Sequence, residues 1–194
     1  MEFLKPLEMN EAPEGSRDVL SSVEDHGGVS NLLRVLAHSP SALRAFVAMN
    51  KLVEDCDMSP AERRVALLAA SAANGCEYCL AADAAEAGRA GLDEETVQAI
   101  RDGEPIENNE RFESLRVFVT GMVERRGRLS DEEVRDFIEA DFQEGNIVDI
   151  AFIVAMKTLS NYVNHIARTP LDEVFADIAS HPSTPGVQPH GVTH

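Results

Sequence analysis

The sequence predicts an all-helical fold, and three observations support this prediction. Apolar residues recur at helical spacing along most of the chain, capping signatures mark several helix starts, and no segment alternates as a strand would. The length of 194 residues fits one domain with a sizeable core. We therefore expect one globular helical unit.

The chain divides into an arm, a domain and a tail. Residues 1–29 are interpreted as an N-terminal arm, irregular where it carries proline, with a short helix over 16–24 that ends before Gly27-Gly28. The helical domain is assigned to 30–175. Beyond Phe175 the composition changes to proline, glycine and scattered histidines, which cannot order themselves alone, so 176–194 are predicted to form a flexible tail.

Capping signatures mark helix starts inside the domain. They are Ser39 before Pro40, Ser59 with Glu62, Asp93 with the acids after it, and Ser130 with Glu133. The second of these begins an alanine-rich helix that is apolar nearly all round, which is typical of a buried helix. That helix stops at Asn74-Gly75, and the next one begins around Cys76 or Glu77. Near the C-terminus, the apolar run 147–156 continues to 165 and predicts a long buried helix.

Charge and composition exclude several classes of partner. The net charge of −17, from 34 acidic and 17 basic residues, argues against nucleic acid, whose backbone needs basic contacts. No apolar run approaches the length of a membrane span, and no signal peptide is visible. We expect a soluble cytoplasmic protein with no membrane partner. Three cysteines do not make a secreted disulfide framework. In a reducing cytosol, the pair Cys76 and Cys79 therefore indicates a redox or metal motif rather than a structural disulfide.

The pair Cys76 and Cys79 stands at a predicted helix start. Free N–H groups and the helix dipole stabilise a thiolate there, and a second thiol three residues away can form a disulfide with it. Zinc would need two more ligands, and the chain offers only Cys56 and isolated histidines, so no metal is expected. The alternative is that both cysteines are small buried hydrophobic residues in an alanine-rich helix.

Three segments carry a family resemblance. Met58–Arg63 and Ala72–Ala82 resemble the core of the carboxymuconolactone decarboxylase / alkylhydroperoxidase D-like superfamily, and Asn161–Asp172 resembles the Asn-Tyr-x-Asn-His segment of its peroxidase-related branch. The resemblance covers about 40–175. It implies an alkylhydroperoxidase D-like helical bundle, with the cysteine pair at the start of a buried helix, that assembles into a homo-oligomer, a trimer or hexamer. It implies no cofactor.

The same resemblance implies thiol-dependent hydroperoxide reduction in antioxidant defence. Cys79 would attack the hydroperoxide, Cys76 would resolve the product to a disulfide, and an external dithiol would restore both thiols. Position in the helix alone would have favoured Cys76 as the attacking thiol. Cys56 lies between two aspartates, which disfavour a thiolate, and Tyr78 is interpreted as a packing residue.

This chain departs from the family's proton relay, in which a glutamate stands twelve residues before the first cysteine and a histidine four after the second. Those positions hold Arg64 and Asp83. We hypothesise that they form an ion pair of reversed polarity beside the cysteines; the alternative is a solvated Arg64 and a locally paired Asp83. A charged Asp83 would raise the pKa of Cys79, and an arginine cannot shuttle protons.

Two further questions stay open in the sequence. His165 could supply the missing imidazole, or it could be a structural hydrogen bonder. Because of the two departures, the alternative function is a non-peroxidatic, oligomeric module that binds small molecules or is associated with stress. Lactone decarboxylation ranks last, because that branch of the family does not generally keep paired cysteines.

Overall fold

The computed structural model describes residues 4–25 and 28–175, and within these ranges the chain is helical and has no strand, which confirms the predicted class. The predicted tail, 176–194, and Gly27 lie outside the described residues. The helices are α1 (Glu14–Glu24), α2 (Asn31–Leu36), α3 (Pro40–Leu52), α4 (Pro60–Ala73), α5 (Glu77–Ala85), α6 (Glu94–Asp102), α7 (Glu110–Glu124), α8 (Asp131–Glu139) and α9 (Glu144–Ala167). Short 3₁₀ turns come after α3, α5 and α9, at Val53–Asp55, Gly88–Ala90 and Glu173–Phe175 respectively.

The predicted caps are present, because each capping oxygen accepts a backbone N–H from three residues on. The pairs are Ser39 with Ala42, Ser59 with Glu62, Asp93 with Thr96, and Ser130 with Glu133. The long C-terminal helix is confirmed as α9 and begins earlier than its apolar run. Its first turn is polar, and there the Asn146 Oδ1 accepts the N–H of Gln143 at 2.8 Å.

The alanine-rich helix α4 lies at the centre of the bundle. It packs against α5, α6, α7 and α9, and its residues from Val65 to Ser71 are buried. Small side chains let neighbouring helices approach closely. This central position explains why α4 lacks the polar face of a surface helix. It also brings the residues that follow α4 close to α9.

The N-terminal segment packs onto the domain. It is irregular up to Pro13, and α1 begins at Glu14, two residues before the expected start. The Ser16 hydroxyl donates to the carbonyl of Ala37 at 2.8 Å, and Leu20 is buried in a hydrophobic cluster that also contains Cys76 and Cys79. The segment interpreted as an arm therefore contributes to the same hydrophobic cluster as the cysteine pair.

Across the described part of the chain, no helix is both long enough and apolar enough to cross a membrane.

Candidate active site

The turn between α4 and α5 positions the cysteine pair. Asn74 ends α4, and Gly75 adopts a φ of +67°, a conformation that favours glycine. Cys76 is then the N-cap of α5, and its sulfur accepts the N–H of Cys79 at 3.4 Å. The predicted helix start is confirmed. A cysteine that caps the helix with its own sulfur directs that sulfur toward the first turn, where Cys79 lies.

Both sulfurs contact the same amide on α9. The Asn164 Nδ2 lies 3.2 Å from the Cys79 sulfur and 4.0 Å from the Cys76 sulfur. Both cysteines are free thiols, and their exposed fractions are only 1% and 2%. An N–H donor that faces two sulfurs stabilises negative charge on either of them.

A cluster of charged side chains lies beside the pair, with Asp83 at its centre. The Asp83 Oδ1 accepts from the Arg64 guanidinium at 3.1 Å, which confirms the hypothesised ion pair. The Asp83 Oδ2 lies 2.6 Å from the Lys157 Nζ and accepts the Ser71 hydroxyl at 3.1 Å. Helices α4, α5 and α9 all contribute to this cluster. Two cations on one carboxylate leave an excess positive charge next to the thiols.

The pKa values of the two thiols move in opposite directions. The Cys79 pKa falls to about 6, chiefly because the Cys76 thiol donates to it, and the Lys157 charge and the Asn164 amide add to this. Burial and Asp83 oppose the fall. The predicted effect of Asp83 on the Cys79 pKa therefore has the right sign but is outweighed. The Cys76 pKa is raised by that same hydrogen bond and by burial.

The buried lysine keeps its charge. Burial opposes the ammonium of Lys157, but Asp83 and the two thiols outweigh burial, so the Lys157 pKa is raised. A cation in an apolar helix is stable only with such a partner. The site thus combines a low-pKa thiol with a fixed ammonium.

A cleft of about 610 Å³ opens onto the site. Cys79, Asp83, Arg64 and Lys157 line it, whereas Cys76 does not. The cleft is large enough for a small organic molecule. Of the two cysteines, it is therefore Cys79 that a molecule in this cleft can reach.

The other residues singled out in the sequence lie around this centre. His165 is exposed, and its Nε2 lies 3.3 Å from the carbonyl oxygen of Gly75, as a structural hydrogen bonder would. It follows Asn164 on α9 and points about 100° away from it. Tyr78 is buried; its hydroxyl accepts the N–H of Leu32 and donates to Asp172. Its raised pKa, due mainly to burial, fits the predicted packing role.

Sequence reasoning missed three contributors, which are Lys157, Asn164 and Ser71. One signal was available: Lys157 is the only Asp, Glu, Lys or Arg residue between positions 150 and 164, inside a helix predicted to be buried. A lone cation in such a helix requires a partner. Asn164 belongs to the segment that carries the resemblance but has no role assigned by it, and no pattern distinguishes Ser71 from other buried serines.

Part of the chain matches a known protein family. Residues 40–117 match the model of the carboxymuconolactone decarboxylase family. None of the curated proteins matches the sequence. Among the described residues, no group of three or more His, Cys, Asp or Glu side chains is arranged to hold a metal ion.

Several solved structures share the fold. An uncharacterized peroxidase-related protein from Ralstonia eutropha JMP134, described as an alkylhydroperoxidase AhpD core, is 24% identical with a TM-score of 0.75, over 88% of this chain and 92% of that one. A peroxidase-related protein from Silicibacter sp. TM1040 is 19% identical with a TM-score of 0.73, over 89% and 94%. The debrominase Bmp8 is 18% identical with a TM-score of 0.75, over 93% and 97%. The alkylhydroperoxidase D-like fold is thereby confirmed.

Proposed function

We propose that this chain, whose residues 40–117 belong to the carboxymuconolactone decarboxylase family, is a thiol-dependent hydroperoxide reductase with Cys76 and Cys79 as its redox pair. One observation carries the proposal. Cys79 has a pKa of about 6 and lines the cleft, while the Cys76 sulfur accepts the backbone N–H of Cys79. A thiolate at neutral pH that lines a cleft and has a second thiol beside it is what peroxide reduction requires.

The first step oxidises Cys79. Its thiolate attacks the terminal oxygen of a hydroperoxide, so that an S–O bond forms and the O–O bond breaks. The peroxide is reduced to an alkoxide, which takes one proton and leaves as an alcohol. Cys79 is then a sulfenic acid.

The second step joins the two cysteines. The Cys76 sulfur attacks the Cys79 sulfur, an S–S bond forms, and hydroxide leaves with the thiol proton as water. An external dithiol then reduces this disulfide and itself becomes a disulfide. We place the protein in the cytoplasm, where such dithiols are kept reduced, and assign it to antioxidant defence.

We also propose that the protein is a homo-oligomer, a trimer or a hexamer. Large apolar side chains are exposed along α9, and burial between subunits would remove them from water. They are Val148, Tyr162 and Ile166, with exposed fractions of 69%, 56% and 70%. Light scattering at several protein concentrations measures the assembly directly.

The test is consumption of cumene hydroperoxide with dithiothreitol as reductant. We expect turnover by the wild type and none above background by Cys79→Ser; with dithiothreitol left out, Cys76→Ser should consume one equivalent of hydroperoxide and stop at the sulfenic acid, without a disulfide. Cys56→Ser is the matched control and should keep the wild-type rate. Equal rates for the wild type and Cys79→Ser would remove Cys79 from the mechanism.

Reductive removal of bromine is a second candidate. The observation that favours it is the shared fold with the debrominase Bmp8, one structure of which holds 2,3,4-tribromopyrrole, together with a cleft of about 610 Å³ beside the dithiol. Release of bromide from tribromopyrrole, with no consumption of hydroperoxide, would favour it. The alternative of a non-peroxidatic binding module requires an ordinary thiol pKa, which the environment of Cys79 disfavours.

A further inference from the structure

The leaving alkoxide needs a proton, and few of the charged side chains near Cys79 can donate one. The two positions of the family's relay hold Arg64, which does not release a proton at working pH, and Asp83, which accepts hydrogen bonds from two cations. His165 is exposed and contacts Gly75. Of the charged groups that line the cleft at the thiol, Lys157 is the one that holds a transferable proton.

Lys157 is well placed for this task. Its side chain is only 8% exposed, and Asp83 fixes its Nζ through a 2.6 Å contact. It lines the same cleft as Cys79, and its charge acts on the Cys79 thiol. A buried ammonium beside a thiolate stabilises that thiolate, and burial makes the interaction stronger than in water.

We propose that Lys157 is a catalytic residue of the hydroperoxide reductase, with two tasks: its charge holds Cys79 ionised, and its Nζ protonates the leaving oxygen. This inference rests on the proposed function. The proton passes from the ammonium to the alkoxide as the O–O bond breaks, which leaves a neutral amine. A proton from solvent restores the ammonium before the next turnover, so the proton balance closes.

Asp83 has the matching role of a positioning residue. Its carboxylate lies between Lys157 and Arg64 and accepts from Ser71 as a third donor, so its hydrogen bonds go to these three side chains and not to the sulfurs. It keeps the lysine charged and directed into the cleft. Asp83, at the position of the relay histidine, thus acts through Lys157. Helix α9, which carries Lys157, supplies the proton that the family's Glu–His relay would have carried.

Two substitutions of Lys157 separate its tasks. Lys157→Met removes charge and proton, whereas Lys157→Arg keeps the charge and does not release a proton. Lys51→Met, on the exposed side of α3, is the matched control. Asp83 keeps Arg64 and Ser71 as partners in each variant, and circular dichroism checks that each folds.

Two readouts are measured for each variant. One is the midpoint pH of Cys79 alkylation by iodoacetamide, followed by peptide mass spectrometry. The other is the rate of cumene hydroperoxide consumption at pH 7 and at pH 9. For Lys157→Met we expect a midpoint at least one pH unit higher and a rate about 100-fold lower at pH 7, still at least about tenfold lower at pH 9.

For Lys157→Arg we expect an unchanged midpoint and a rate at least about tenfold lower, and for Lys51→Met no change in either. An unchanged midpoint in Lys157→Met would overturn the electrostatic task, and a full rate in Lys157→Arg would overturn proton donation. A wild type that consumes no hydroperoxide would refute the proposed function and proton donation with it. The alkylation midpoint would then still decide the electrostatic task.

Discussion

Cys56 and Cys79 are both buried thiols in the same acidic chain, yet their chemistry is opposite. The Cys56 pKa rises to about 11, through burial first and then the charge of Asp149, and the Cys79 pKa falls to about 6. Burial raises the pKa of each. The difference therefore comes from the neighbours and not from depth in the core.

One helix, α9, contributes to both shifts. Asp149, near the start of α9, faces Cys56, and Lys157 and Asn164, further along, face Cys79. Eight residues, about 12 Å of helix, separate Asp149 from Lys157. The comparison shows that α9 adds to the inertness of one thiol and to the reactivity of the other, while burial at Cys56 and the Cys76 thiol at Cys79 make the largest contributions.

The largest expected effect is the difference in alkylation rate between the two thiols. At pH 7 the thiolate fraction of Cys79 should exceed that of Cys56 by about 10⁴-fold, and the lower nucleophilicity of a low-pKa thiolate reduces this to a rate ratio of about 30. Timed iodoacetamide labelling of the native, reduced protein, resolved by peptide mass spectrometry, measures the ratio. Equal alkylation rates at pH 7 would contradict the difference in pKa between the two thiols.

The next effect is on stability. The folded Cys79 pKa of about 6 lies below the ordinary value of 9.0, so its contribution is fully present above pH 9 and is lost as the pH falls through 6. The unfolding free energy of the wild type relative to Cys79→Ser should therefore rise by about 2 kcal/mol from pH 6 to pH 8. Urea unfolding under reducing conditions measures it.

Cys56→Ser is the control for this measurement, and its sign is opposite. The Cys56 pKa is raised, so its contribution is constant below pH 9 and is lost only as the pH rises toward 11. Relative to the wild type, Cys56→Ser should show no pH dependence between pH 6 and pH 8. A rise equal to that of Cys79→Ser would mean that the two thiols do not differ.

A smaller effect is expected when the acid that faces Cys56 is neutralised. Asp149→Asn keeps the shape and removes the charge, so the Cys56 pKa should fall by about one unit. The Cys56 alkylation midpoint measures this shift, and Cys79 in the same sample is the internal control. Asp131→Asn, at the start of α8, should leave both unchanged. A shift at Cys79 of the same size would contradict separate control by α9.

The smallest effect concerns the amide. Asn164→Ala removes the donor that faces both sulfurs, and the Cys79 midpoint should rise by about half a pH unit. His165→Ala, at the next position, should leave the midpoint and the hydroperoxide rate unchanged. A loss of activity in His165→Ala would mean that this histidine has a catalytic role.

Local signals predicted the fold well. The caps at Ser39, Ser59, Asp93 and Ser130 depend on residues three positions apart, so a short window of sequence contains the whole interaction. The start of α9 was placed late because its first turn is polar. The packing of the N-terminal segment depends on contacts with distant residues, such as those of α1 with α3, which a short window of sequence does not contain.

The candidate site was predicted only in part. The ion pair of Arg64 and Asp83 could be hypothesised because the two positions were already linked by the family's pattern. Lys157 and Asn164 come from a helix more than seventy residues away in the chain, and their facing the sulfurs depends on how α9 packs on α4 and α5. Periodicity gives the face of a helix but not the neighbour that it meets.

The length of α9 between Asp149 and Lys157 also limits how this chain can vary. Deletion or insertion of one residue there would rotate everything after it by about 100°. Asp149 would keep its place beside Cys56, while Lys157 and Asn164 would leave the thiols together. Substitutions can therefore adjust the site one property at a time, but a single-codon insertion or deletion in this stretch would remove several contacts at once.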